Sequence, residues 1–504
     1  MKFKSLFLWA FIATLSANAQ DPIAQLYGSK VSSDELREYL SIIASDALEG
    51  RETGTRGQKM AAAFIANHFQ ELGLTGPVNG SYYQPIELYS SAPGEAYLIA
   101  DKTKFDNYAE VLYLGSTDSK GEATLPVVFV GNATESDFNQ VDVKDKAVFF
   151  FTKETRITRS RAVALAREKG AKMILINNTD TQSDFEVLAG QVKNFLSEGR
   201  LSLEKPEESQ DAGIFLLSPA VVEKVMGTTI DKLKKTAAED PSKNALKKVK
   251  PAIIQYKTTS PLKIIKTENV LGYLEGSDKK DEVIVITAHY DHIGKDKSGK
   301  GDLINNGADD DGSGTVAVME LARVFAHAKK DGKGPRRSIL FMTVTGEEKG
   351  LLGSDYYSRN PIFPLSSTVV NLNIDMVGRR DPQHQNSAPY VYVIGSDKLS
   401  DDLHAVSESV NKGNGNIIFD YTYNDPNHPD RFYYRSDHWN FAKKNIPIIF
   451  YFDGVHEDYH KPSDEVEKIE FDLLTRRTLC VFYTAWEIAN REQRIKVDQD
   501  KMLR

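Results

Sequence analysis

The chain has 504 residues, 40% hydrophobic and 27% charged, which excludes a disordered chain, a collagen and a membrane bundle. Lys and Arg number 63 against 71 Asp and Glu, a formal charge of −8, so no basic excess supports nucleic-acid binding. The single cysteine, Cys480, excludes an intramolecular disulfide and leaves His, Asp and Glu as the only strong metal ligands.

In chain order, the first element reads as an address. Lys2 and Lys4 precede a short apolar run from Leu6 to Leu15, and Ala17-Asn18-Ala19 supplies the small-x-small pattern of a cleavage site. Residues 1–19 are therefore expected to be a signal peptide, and the mature protein to be exported, periplasmic or secreted. No later stretch reaches the ~20 apolar residues of a membrane span. Ser32 to Leu74 predicts two helices. Ser33 stands as N-cap before Asp34-Glu35, and Met60, Phe64, His68 and Leu72 share a face that ends at Gly73.

Between about 106 and 255 the pattern changes. LPVVFVG and KAVFFFT read as buried strands, RAVALAREKGAKMILINN as helix, glycine turn and strand, and IFLLSPAVVEKVMG as strand then helix. This predicts a self-contained β-rich unit, closed by a lysine-rich stretch from Lys232 to Lys250 that reads as a solvated face. Residues 20–105 with 256–504 then form the other domain. In it VIVIT, SILFMTVT, NLNID and IPIIFYF are apolar strands alternating with helices, so the expected fold is α/β with a mixed, mostly parallel central sheet covered on both faces.

Five polar clusters follow these strands: His289 with Asp291, Asp309-Asp310-Asp311, Glu347-Glu348, Asp375 and His460. Strand C-termini of an α/β sheet form the crevice where ligands bind. Gathering carboxylates and imidazoles there is costly unless cations neutralise them, and two His with at least three carboxylates suit Zn²⁺, with Mn²⁺ or Co²⁺ as alternatives. His292 reads as a supporting residue. Asp309, Asp311, Ser313, Gly314 and Glu320 also match the spacing of an EF-hand calcium loop, but the preceding GKDKSGKGDLINNGA is a poor helix.

The strings AHYDH, NGADDDGSG, TGEEKGLLGS, NIDMVG and DYHKPSDE, in this order, resemble the co-catalytic di-zinc aminopeptidase family, which also contains glutamate carboxypeptidases and glutaminyl cyclases. SDALEGRETGTRG and RSDHWNFAKKNIPIIF also look like it, and the central unit is similar to an inserted protease-associated domain. The resemblance implies two Zn²⁺ per chain. His289 and Asp375 would hold one, Glu348 and His460 the other, and Asp310 would bridge them. It further implies that Asp291 orients His289, that Glu347 is the general base, that Tyr459 polarises the scissile carbonyl and that Arg435 binds substrate. The expected activity is removal of N-terminal residues from peptides by a hydroxide bridging the two metals. Two rivals stand beside it: a glutaminyl cyclase or carboxypeptidase of the same fold, and a non-catalytic calcium- or peptide-binding protein.

Overall fold

The apolar runs after residue 265 assemble into one sheet, in the order Ile418–Asp420, Tyr390–Ile394, Ile448–Phe452, Thr368–Ile374, Lys279–His289, Arg337–Val344 and Leu262–Leu274. The four strands from Ile448–Phe452 to Arg337–Val344 are mutually parallel, while Tyr390–Ile394 and Leu262–Leu274 run antiparallel to them. This is the expected mixed, mostly parallel sheet. Side chains alternate across it. Ile284, Ile286 and Ala288 face the helices Gly314–Lys330 and Phe471–Asn490, whereas Val283 and Val285 pack with Leu340, Met342, Phe450 and Tyr357 on the other face. Both faces are covered, which is why these strands read as unbroken apolar runs rather than alternating ones.

The structure is a computed structural model that describes residues 21–91, 94–153, 157, 160–196, 200–206, 213–296, 299, 301–414 and 417–498. The expected signal peptide, 1–19, lies outside the described residues. Among the described residues no helix is long and apolar enough to cross a membrane.

Two compact units emerge, Met1–Ile86 with Lys266–Arg504, and Glu87–Ile265. The second is wider at both ends than 106–255, because the short strands Ala96–Ala100 and Thr103–Asp106 pair into its sheet beside Ala252–Thr258. Its centre is four parallel strands, Ala123–Phe129, Ala147–Phe151, Met173–Asn177 and Gly213–Leu217, with separate apolar clusters on the two faces.

The N-terminal helices differ in detail from the sequence reading. The cap of Ser33–Ile43 is Ser32, not Ser33: the Ser32 hydroxyl accepts from the Glu35 amide at 3.2 Å, three residues on, the spacing a cap needs. In helix Arg56–Glu71 the buried residues include Gln58, Ala61, Ala62, Ile65, Ala66, His68 and Phe69, and Met60 is exposed. Small residues let this helix approach closely, and Phe64 and Leu72 pack at the edge of the same face, so Met60 alone of the expected stripe is left outside. Cys480 is buried in helix Phe471–Asn490, as expected of a small apolar group, and burial raises its thiol pKa.

His438 carries a pH signature. Its ring stacks on Phe450 at 4.6 Å, Nε2–H donates to the Tyr433 carbonyl at 2.8 Å, and Nδ1 is buried without a partner. Burial lowers its pKa to about 3, against ~6.5 in the unfolded chain. Below pH 6.5 the unfolded state therefore binds a proton that the folded state refuses, and stability falls until about pH 3. Relative to His438→Gln, the wild type should lose about 2–3 kcal/mol more between pH 6.5 and 4.5. Urea unfolding at the two pH values measures the difference; equal losses in both proteins would refute it.

Candidate metal centre

From the strand ending at His289 the chain passes to Arg337–Val344 on one side, then crosses to Thr368–Ile374 on the other. The strand order reverses at Lys279–His289, and such a switch point opens a crevice at the carboxyl ends. Registers of His289 with Val344 and of Ile374 with Tyr451 set these ends level. His289, Glu347 and Glu348, Asp375, and the segment from Val455 to His460 thus all emerge at one edge. The Asp loop joins them from the turn before helix Gly314–Lys330, with a cis peptide between Asp310 and Asp311.

The three consecutive aspartates take three directions. Asp309 is fully buried, its Oδ1 accepting from the Gly378 amide at 2.6 Å and its Oδ2 lying 3.2 Å from His456 Nε2. Asp311 accepts from the amides of His289, Gly314 and Met376 and so ties three segments together. Only Asp310 faces the cavity. Its Oδ1 lies 3.3 Å from His289 Nε2 and its Oδ2 lies 3.1 Å from His460 Nε2. His289 Nε2 is also 3.6 Å from Asp375 Oδ1, and His460 Nε2 is 3.1 Å from Glu348 Oε2.

These spacings fit metal ions. Tetrahedral zinc with bonds of about 2.0–2.2 Å places its ligand atoms about 3.3–3.6 Å apart. Asp310 Oδ2 is buried yet makes no hydrogen bond of acceptable geometry, although a ring nitrogen sits 3.1 Å away. Two such atoms aimed at a common point suit a shared ion better than a bond to each other. The structure brings together two sets with mutual atom spacing within 4.8 Å, His289 with Glu347 and Asp375, and His292 with Asp310 and Glu348. His292 Nδ1 lies 2.8 Å from Glu348 Oε1, which leaves Oε2 facing His460. His460 Nε2 stands 3.1 Å from both Asp310 Oδ2 and Glu348 Oε2, which puts a second imidazole beside this set, while His292 also holds Glu348.

Asp291 supports the site differently from the expectation. His289 Nδ1 lies 3.1 Å from the Asp291 main-chain carbonyl, while the carboxylate stands 3.9 Å off, beyond hydrogen-bond range. That carboxylate is engaged elsewhere, accepting from the Thr53 hydroxyl at 2.7 Å and the Glu347 amide at 3.2 Å. It thus fixes the start of the Glu-Glu turn. Asp464, unremarked in the sequence, accepts from the amides of Asp309 and Asp310 and holds the Asp loop. Ser436 donates to Asp375 Oδ2 at 2.6 Å and accepts from Asn373, so only Asp375 Oδ1 is turned to His289. Ser436→Ala should weaken metal binding about tenfold, the low end for losing a residue that holds a ligand. Chelator competition reads this, and unchanged affinity would show that Asp375 needs no such support.

The field is strongly acidic. Burial alone would raise the Asp310 pKa, but the imidazoles of His289, His460 and His292 hold it well below the ordinary range. Burial and Asp310 push Glu348 up, yet His292 and His460 bring it down to about 2. Burial sets Glu347 well above its usual value, aided by Asp375 and Glu348 against His289. Burial and the carboxylates of Asp310 and Glu348 raise the Tyr459 phenol, so it stays a protonated donor. Its ring stacks on His460 at 3.9 Å. Arg435 is exposed at the mouth and lies over the Phe432 ring at 4.6 Å. Beside His289, the carboxylates, Tyr459 and Arg435, the cavity is lined by Met376, Phe432, Phe450, Phe452 and Val455.

The calcium alternative finds no support in this geometry. Glu320, its twelfth position, is paired to Arg323 at 2.7 Å and accepts from the Ser32 amide, and Asp309 turns to His456. His456 thus also falls outside the ligand sets.

Residues 269–485 match the model of Peptidase family M28. A probable zinc metalloprotease of Pyrenophora teres f. teres (strain 0-1) is 29% identical over 268 residues, 44% of this chain and 51% of that protein. Aminopeptidase YwaD of Bacillus subtilis (strain 168) is 27% identical over 244 residues, 47% of this chain and 48% of its own length. The chain spans about half the length of the curated relatives it matches. Among solved structures, an aminopeptidase from Aneurinibacillus sp. strain AM-1 shares the fold with a TM-score of 0.55 and 20% identity, over 94% of this chain and 98% of that one.

Proposed function

Because residues 269–485 form a Peptidase family M28 domain, we propose that the protein is an exported two-zinc aminopeptidase that removes N-terminal residues from peptides. The observation that carries this reading is the bridging geometry of Asp310, one oxygen turned to the His289 set and the other to the His460 set. His289 and Asp375 would hold one zinc, Glu348 and His460 the other, with Asp310 shared. When bound, zinc supplies Lewis-acid polarisation of the scissile carbonyl and of the attacking water. Glu347 takes a proton from that water as its oxygen joins the carbonyl carbon, then passes it to the leaving nitrogen as the C–N bond breaks. The Tyr459 phenol donates to the developing oxyanion.

A small cavity backed by Phe432, Phe450, Phe452 and Val455 suits one terminal residue with an apolar side chain, not a chain passing through. Its acidic wall favours a free amine end, whereas a carboxylate end would meet only Arg435 at the mouth. We read the unit Glu87–Ile265 as a protease-associated-like domain. Export rests on the sequence of residues 1–19, and N-terminal sequencing of the mature protein starting at Met1 would refute it.

The test uses zinc-quantified protein on peptides with free or acetylated N-termini. Release of the first residue from free peptides only is expected, and equal cleavage of blocked peptides, or cyclisation of N-terminal Gln, would overturn the reading. Stripping with a chelator should abolish turnover, and adding back zinc should restore it. Turnover that survives complete removal of metal would remove the metal from the mechanism.

A further inference from the structure

Arg51 is fully buried, ends the turn Asp46–Arg51 and has no role in the reaction above. Among the described residues its guanidinium makes no hydrogen bond to a carboxylate. Instead four donations go to main-chain carbonyls: Nε to Tyr290 at 2.9 Å, Nη1 to Ile43 and Asn306 at 2.6 Å each, and Nη2 to Gly307 at 3.0 Å. Tyr290 sits in the segment that carries His289 and His292, and Asn306 and Gly307 lead into the loop that carries Asp310. The main chain adds to this: the His292 amide donates to the Arg51 carbonyl at 3.2 Å, and the Gly294 amide to Gly50 at 2.9 Å. The joint is tight. Gly307 has φ +55, and a Cβ there would stand 2.6 Å from the His292 ring.

A guanidinium is suited to this place because its planar fork reaches several acceptors at fixed angles, which a lysine ammonium cannot. Its charge also lies among Asp310, Asp311, Asp464 and Asp291. Resting on the metal-centre reading above, we propose that Arg51 is a positioning residue. It locks the His289–His292 segment against the Asp310 loop, so that the two ligand sets stand at metal-binding distance before any ion arrives.

Two measurements on the full mature chain test this. The first is hydrogen exchange on wild-type protein, zinc-loaded and chelator-stripped. Peptides covering 289–294 and 305–311 should keep their protection within about threefold after stripping; a fall to the level of exposed loops would overturn the proposal. The second is zinc affinity by chelator competition for Arg51→Lys, which keeps the charge and loses the fork. A 10–100-fold weaker affinity is expected, with lost protection confined to the same two segments. Affinity within threefold of wild type would overturn it. Arg337→Lys is the control, since Arg337 is equally buried and bonds the carbonyls of Ile488 and Arg491 at the opposite strand end. Its zinc affinity should not change, and an equal loss there would reduce Arg51 to general packing. Should Arg51→Lys not fold, the stripped wild type still decides. Failure of the wild type to bind zinc would count against the metal-centre reading, whereas the exchange measurement judges the clamp by itself.

Discussion

Glu347→Gln should retain two zinc ions per chain and lose turnover by about 10³-fold, within the range for removing a general base. The side chain is matched in size and the amide keeps one oxygen in the cavity, so packing is preserved. What vanishes is the ability to accept a proton. Glu347 is well placed to accept one, because Asp291 fixes its amide and its Oε2 lies 3.9 Å from His289 Nε2, farther than the Asp310 and Asp375 oxygens. A carboxylate that lies farther from the His289 imidazole than the Asp310 and Asp375 oxygens do, yet lines the same cavity, is placed to move a proton. The loss should fall on kcat with KM little changed, because the amide still occupies the same space. Metal analysis with steady-state kinetics on one preparation checks both halves. A variant that loses zinc would make Glu347 a ligand, and one with near-normal kcat would deprive it of any part in the proton transfer.

How far the sequence alone could reach depends on whether a residue's role is set locally. The parallel strands were legible because burial on both faces leaves a continuous apolar run, as in Ile339 to Met342. Glu347 and Glu348 were legible because a glycine turn at a strand end is a poor place for a solvated acidic pair; Gly346 indeed has φ +68. The choice among Asp309, Asp310 and Asp311 was not legible from spacing. It depends on contacts to residues more than sixty positions away, Gly378 and Met376 among them, and only the family resemblance separated the three. Arg51 and Asp464 escaped for the same reason, since their partners are main-chain groups that leave no compositional trace. Of the face Met60, Phe64, His68 and Leu72, only Met60 is exposed; it lies at the rim of a buried face whose centre is filled by Ala61, Ala62, Ile65, Ala66 and Phe69. At the edge of the second unit Thr103–Asp106 is a short strand with mostly exposed side chains and carries almost no apolar signal, while the apolar run Ala96–Ala100 belongs there through its pairing with the distant Ala252–Thr258, which spacing does not reveal.

Asp310→Ala should lower zinc from two per chain to one or none and abolish turnover beyond the 10³-fold loss expected for Glu347→Gln. Each ligand set has one strand-end or loop partner of its own, but both depend on this carboxylate. Removing it takes the nearest carboxylate oxygen from His289 and an oxygen from beside His460 at once, leaving Asp375 as the nearest carboxylate to His289 and Glu348 as the nearest to His460. It also removes a negative charge that sits between two imidazoles, so each remaining set binds a cation less strongly. The fold should survive, because the main-chain restraints on the loop do not use this side chain: Asp464 holds the amides of 309 and 310, and Asp311 holds His289, Gly314 and Met376. Thermal unfolding of the stripped wild type and stripped variant should therefore differ little, while their zinc-induced shifts in Tm diverge. Asp310→Asn separates bridging from charge. It retains one acceptor oxygen, so it can serve one set and not both, and it should bind a single zinc. Two tightly bound ions in either variant would show that the sets are independent, and that Asp310 does not join them.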